Sequence, residues 1–160
     1  MTRSKPARSV FLILLETSTA IIPVQGIDIQ TSRANSLFQI ALGYCKDYGL
    51  TTERGAALMF DIRVQNGSVD RAGAGEKIRA DFESINPILS DNEKQVERMK
   101  IIARRRSDVS KAQWRNDVLI RKMTIAEGEG TVHGKKYDLE KEFVIRLMPI
   151  LPPGSGGPIA

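Results

Sequence analysis

A mainly helical, single-domain fold is what this sequence predicts, and three observations carry it. Apolar residues recur at helical spacing ahead of glycines that suit a left-handed helix end, as Leu37, Ile40, Ala41, Tyr44 and Tyr48 do before Gly49. The spacing Ser-x-x-Glu/Gln, which lets two side chains cap a helix start reciprocally, occurs at Ser90 with Glu93 and again at Ser110 with Gln113. The segment over 52–67 is apolar on nearly every side, as a helix surrounded by others must be. The chain's 160 residues, 41% hydrophobic and 27% charged, suffice for one domain with a core and are short for two. Disordered, collagen-like and disulfide-scaffold chains have other compositions.

At the N-terminus, Arg3, Lys5 and Arg8 precede an apolar run over 10–15, which Glu16 ends. Six residues fall short of the roughly seven to fifteen of a secretory signal core and far short of the roughly twenty that span a bilayer. Residues 1–29 are therefore expected to form an N-terminal arm that adds a helix or strand to the core. No clear signal peptide is read, and the run leaves the location open between the cytoplasm and export by a non-classical or phage-type route, with secretion as the lesser alternative.

A helical core is expected over 30–127. Its helices run from about Ser32 to Tyr48, Thr52 to Gly67, Glu76 to Ile85, Asp91 to Arg106 and Lys111 to Lys122, with Gly49, Gly67 and Pro87 as stops. Glycines at 128, 130 and 134 then break the periodicity and predict a loop or small hairpin over 128–151, pairing Thr131–Val132 with a strand over 143–147. The Pro/Gly/Ser tail over 152–160 is expected to be a flexible end or an arm awaiting a partner.

If the helix over 52–67 is central, its polar residues pose a question of solvation. Asp61 and Gln65 stand four apart on one face, with Arg54 about two turns earlier, and a buried carboxylate needs cations or hydrogen-bond donors. The candidate cations are Arg115 and Arg121, on a helix expected to turn Trp114, Val118 and Leu119 inward. The plain reading is an ion pair that fixes helix register; the sharper one places these residues behind an active site.

Nine Lys or Arg residues against Asp108 and Asp117 give 98–122 a local net charge of +7, above the +5 of the whole chain. No helix-turn-helix, zinc-finger or RNA-recognition signature accompanies that run, so nucleic acid is disfavoured as a partner. One histidine and one cysteine exclude a poly-histidine or cysteine-rich metal site, and no cofactor motif is present. His133, in GTVHG, is a structural or turn residue on the plain reading, and a general base or a contact for sugar hydroxyls on the sharper one. Cys45 reads as a small core residue.

The blocks TTERGAALMFDIRVQNGSV and ARRRSDVSKAQWRNDVLIRKMTIAEGEGTVHG, followed by YDL, resemble the C-terminal half of bacterial and phage proteins related to the family forty-six chitosanases. That family lies in the lysozyme superfamily of mostly helical glycoside hydrolases, and the likeness runs from about Gln30 to Leu139. It implies a lysozyme-like helical lobe around a buried central helix, an aspartate there (Asp61) held by arginines of the C-terminal helices (Arg115 or Arg121), and a cell-wall or chitosan-like polysaccharide as partner. Asn66 and His133, in the VQNG and VHG blocks, are the candidate glycan contacts.

Such enzymes carry a Phe-Glu motif and an Asp-Gly-rich stretch toward the N-terminus, supplying the two carboxylates that hydrolysis requires. Here Glu16, in LLETST, and Asp28 are only superficial analogues. The expected function is thus a glycan-binding or assembly module. The alternatives are a structural or interaction protein of a phage-like or secreted particle, joining a partner or a second copy through its N-terminal segment and C-terminal tail, and an active hydrolase using Glu16 and Asp28.

Overall fold

Eight consecutive residues, Gly55–Ile62, are buried within one helix, and the other elements are arranged around them. The computed structural model describes the backbone of residues 27–150 and side chains from residue 32 onward. The chain is mainly helical. In order it forms α1 (Ile27–Tyr48), α2 (Glu53–Asn66), α3 (Ala74–Phe82), α4 (Asp91–Asp108), α5 (Arg115–Glu127), a hairpin of β1 (Glu129–Val132) and β2 (Lys135–Asp138), and α6 (Leu139–Phe143). Single 3-10 turns, Arg71–Gly73 and Ala112–Trp114, lead into α3 and α5. The apolar run of the expected N-terminal arm and the tail over 152–160 lie outside the described residues.

α2 is the expected central helix. Thr52 caps it, its side chain accepting from the Gly55 N–H at 3.1 Å, and Gly67 ends it with φ of 82°. α1, α4 and α5 all pack against it. Leu58, Met59 and Ile62 are completely covered, each contributing about 1.5–3 kcal/mol through burial. Cys45 is in the same core, where burial pushes its thiol up to about 12. Only the last turn of α2 emerges, so Gln65 is exposed, contrary to the expectation that it is shielded from water.

The two capping signals have different fates. At α4 the reciprocal cap forms: the Glu93 N–H donates to Ser90 Oγ at 3.3 Å and the Ser90 N–H donates to Glu93 Oε2 at 2.8 Å. The Ser110 hydroxyl instead donates back to the Arg106 carbonyl at 2.8 Å, and is spent on the end of α4. The chain then makes its 3-10 turn, and α5 begins at Arg115 rather than Lys111. This shift leaves Trp114 on the surface, 55% exposed, instead of inward as expected.

The hairpin also differs from expectation. β1 pairs antiparallel with β2, Val132 opposite Lys135, and not with 143–147. His133 and Gly134 have φ of 49° and 80°, so they form a two-residue turn of the kind that demands positive φ at both positions, and the return strand must start at once. Asp138 then caps α6, accepting from the Lys141 N–H, which places Phe143 in a helix stacked on Tyr137. Beyond α6 the chain returns to the start of α2. The Glu53 N–H donates to the Met148 carbonyl at 2.9 Å, the Arg146 N–H to Glu53 Oε2 at 3.0 Å, and the Ile150 N–H to the Thr51 carbonyl at 2.9 Å. Among the described residues no helix is long and apolar enough to cross a membrane.

Candidate functional site

α2 and α5 run antiparallel, joined at two levels by charge. Near the start of α2, Arg54 reaches the C-terminal end of α5, its Nη1 donating to the Ala126 carbonyl at 3.4 Å, where a cation complements the helix dipole. Seven residues on, Asp61 is 2% exposed and gripped from both sides. Arg121 Nε donates to its Oδ1 at 2.6 Å and Lys122 Nζ to its Oδ2 at 3.0 Å. Burial alone would raise the Asp61 pKa, but the charges and hydrogen bonds of Lys122 and Arg121 outweigh it and hold the carboxyl below its ordinary value.

The expected aspartate and one of its expected partners are therefore in place, and the other two are not. Arg115 is exposed in the first turn of α5, and its contacts are made by the backbone: its N–H donates to the Ala112 carbonyl and its carbonyl accepts from the Ser107 hydroxyl at 2.8 Å. Six residues at about 100° each put Arg115 and Arg121 on different faces of one helix, so both cannot reach the same carboxylate. Arg54 shares a face with Asp61 but is drawn to Ala126.

Lys122, absent from the expected set, is 1% exposed. Its signal lay in the sequence: it follows Val118 by four and precedes Ile125 and Ala126 by three and four, in the middle of an apolar stripe. Arg106 carries the same signal after Met99, Ile102 and Ala103, and is 3% exposed.

Above this ion pair lies an open groove of about 650 Å³, walled by the last turn of α2, the turn before α3, the end of α4, the start of α5 and the hairpin tip. It gathers Gln65, Asn66 and His133, together with Trp114, Asp117, Arg71, Arg106, Lys111 and the inner sides of Arg121 and Lys122. Asn66 keeps a buried Oδ1 without a hydrogen-bond donor. Among the described residues Asp117 is the only carboxylate lining the groove. Glu16 lies outside the described residues, and of Asp28 only the backbone, in the first turn of α1, is described. No cluster of three His, Cys, Asp or Glu suited to a metal ion occurs among the described residues. In a second recess, of about 280 Å³, Arg105 is already engaged, donating to both oxygens of Asp81 at 2.6 and 2.9 Å.

The basic run over 98–122 is not one solvated stripe. Arg98 donates to the Tyr48 carbonyl and covers the Phe82 ring, Lys100 meets Glu97 and Glu127, Arg105 meets Asp81 and Asp108, and Arg121 and Lys122 hold Asp61. Comparison with family models, curated proteins and solved structures returns no match for this chain.

Proposed function

We propose that this chain is a lysozyme-like lobe related to cell-wall and chitosan-like polysaccharide hydrolases, and that it binds a glycan in the groove between α2, α5 and the hairpin tip. The observation that carries the reading is Trp114, 55% exposed within the groove that also brings together Asn66 and His133, the two candidate glycan contacts. An exposed indole offers an apolar face for a sugar ring, and the half-buried Asn66 brings a side-chain amide to the groove that can hydrogen-bond a hydroxyl or acetamido group. The buried Asp61 with Arg121 matches the arrangement that the chitosanase-like sequence blocks imply, with Lys122 in place of a second arginine. Hydrolysis needs two carboxylates across the scissile bond, and the described lining supplies Asp117 alone, which favours binding over cleavage.

Trp114 is the only tryptophan in the chain, so its fluorescence reports directly on the groove. Titration with soluble peptidoglycan fragments and chitin oligosaccharides should shift or quench that emission saturably. Trp114→Ala should weaken retention on insoluble cell wall by roughly fivefold or more, since an apolar ring buried against a ligand contributes about 1–3 kcal/mol. Unchanged retention by a folded Trp114→Ala chain would refute the groove assignment. Steady release of reducing sugars by the unmodified chain would restore Glu16 and Asp28 as candidates for catalysis.

A further inference from the structure

Five of the groove's lining residues are basic, Arg71, Arg106, Lys111, Arg121 and Lys122, against one acid, Asp117. Asp61, behind the wall, offsets one more charge through Arg121 and Lys122, which leaves a local excess of three positive charges. Arg106 is the unusual member. It is 3% exposed, yet its recorded partners are backbone carbonyls alone, Arg71 O at 2.9 Å and Val69 O at 3.5 Å from Nη1, and its Nε has no acceptor. The nearest carboxylate in charge terms, Asp70, is taken by the Tyr48 hydroxyl at 2.5 Å and by Arg79 at 3.4 Å. Burying a guanidinium without a counter-ion is costly, and the exposed Arg71 side chain adds a like charge beside it. Burial first, then the Arg71 charge, lowers the Arg106 pKa.

We infer that Arg106, Arg71 and Lys111 form an oxyanion subsite in the Trp114 groove, and that the glycan bound there carries an acidic substituent, a carboxylate or a phosphate. This rests on the glycan-binding reading and narrows its ligand. The Arg106 bond to the Arg71 carbonyl fixes the turn that presents Arg71, so the buried cation both places its neighbour and adds its own field. A polycationic glucosamine chain would meet like charge here. Nucleic acid needs a basic track along successive phosphates, whereas Arg98, Lys100 and Arg105 of the 98–122 run are engaged with protein groups and interrupt such a track between the groove and the exposed Arg104 and Arg115.

The test uses the full chain and Trp114 emission with five probes: a muramic-acid-containing peptidoglycan fragment, a teichoic-acid fragment, a neutral chitin oligosaccharide, a chitosan oligosaccharide and a short single-stranded oligonucleotide. At least one of the two acidic fragments should bind roughly tenfold or more tighter than the neutral one, as a charge-assisted contact allows, and chitosan weakest. Which acidic fragment leads separates carboxylate from phosphate. Raising ionic strength should shrink the gap. Arg71→Gln combined with Lys111→Gln, both exposed positions, should abolish the preference, so that the acidic fragments bind no tighter than the neutral oligosaccharide does to the same variant.

Equal affinity for acidic and neutral glycans would overturn the oxyanion subsite and leave the glycan reading standing. Binding of the oligonucleotide with no response to any glycan would overturn the glycan reading itself.

Discussion

Removing the Asp61 carboxylate would leave the Lys122 ammonium and the Arg121 guanidinium facing one another in a closed site, with side-chain exposures of 1% and 17%. Breaking such an arrangement from one side costs about 3–5 kcal/mol, because the orphaned charge stays buried. Asp61→Ala should therefore lower the melting temperature far more than Arg63→Ala, whose half-buried side chain donates only to the Gly67 carbonyl at the helix end. The reverse order in thermal denaturation would contradict the placement of Asp61. At this scale the sequence was partly legible. Asp61 announced itself as a lone carboxylate among Leu58, Met59, Phe60 and Ile62. Lys122 did not, because lysine at the centre of an apolar stripe is read as solvated until an acid is known to sit opposite. The Arg115 assignment failed on helical phase: six positions before Arg121, it lies on another face of α5 and cannot reach the same carboxylate.

Helix ends decide how the elements meet. Gly128 closes α5 with φ of 86°, and Arg54 packs so closely above it that a Cβ there would sit 2.6 Å from the guanidinium carbon. Gly128→Ala combines positive-φ strain with displacement of Arg54 and should cost about 1–3 kcal/mol. Gly43→Ala is the matched control. It lies inside α1 with nothing within 4 Å of its would-be Cβ, and should raise stability by up to about 1 kcal/mol through helix propensity. Opposite shifts in denaturant midpoint are the expected outcome; two losses of equal size would mean that Arg54 does not hold the α2–α5 seam. The five helices over 32–122 that stop residues, capping signals and apolar spacing predict are present, because those signals are local. The return strand of the hairpin was misplaced, since its register follows from the backbone of His133 and Gly134, and a histidine with positive φ leaves no mark in a hydropathy pattern.

For the whole molecule, acid sensitivity follows from four depressed carboxylates among the described residues, Asp61, Asp81, Glu93 and Asp138, of which Asp61 alone is buried. Lys122 and Arg121 overcome burial at Asp61, and the hydrogen bonds from Arg105 lead at Asp81. Carboxylates held low in the folded chain add stability that is complete above their unfolded values of about 4 and is lost as pH falls through the folded values. The melting temperature should thus stay level from neutrality to about pH 5 and drop below about pH 4, with a shallower acid limb in Asp61→Ala, where the main linked proton site is gone. A parallel acid limb in that variant would assign the sensitivity elsewhere. The groove was the least legible feature, because Asn66 and Arg71, Arg106 and Trp114, and His133 come from three stretches of chain that only the tertiary fold brings to one face.

The return of the chain to the first turn of α2 also orders events in time. Arg146 and Glu53 are separated by 93 positions, and Thr52 bridges Pro149, so those bonds wait on closure of a long loop, whose entropic cost must be met before any contact repays it. The helix at the centre of the molecule is therefore among the last to be finished: its apolar face can be covered by α1 early, while the N–H of Glu53 stays with water until Met148 arrives. Folding of this chain should accordingly be limited at the clasp between 51–53 and 146–150, and unfolding should begin by its release.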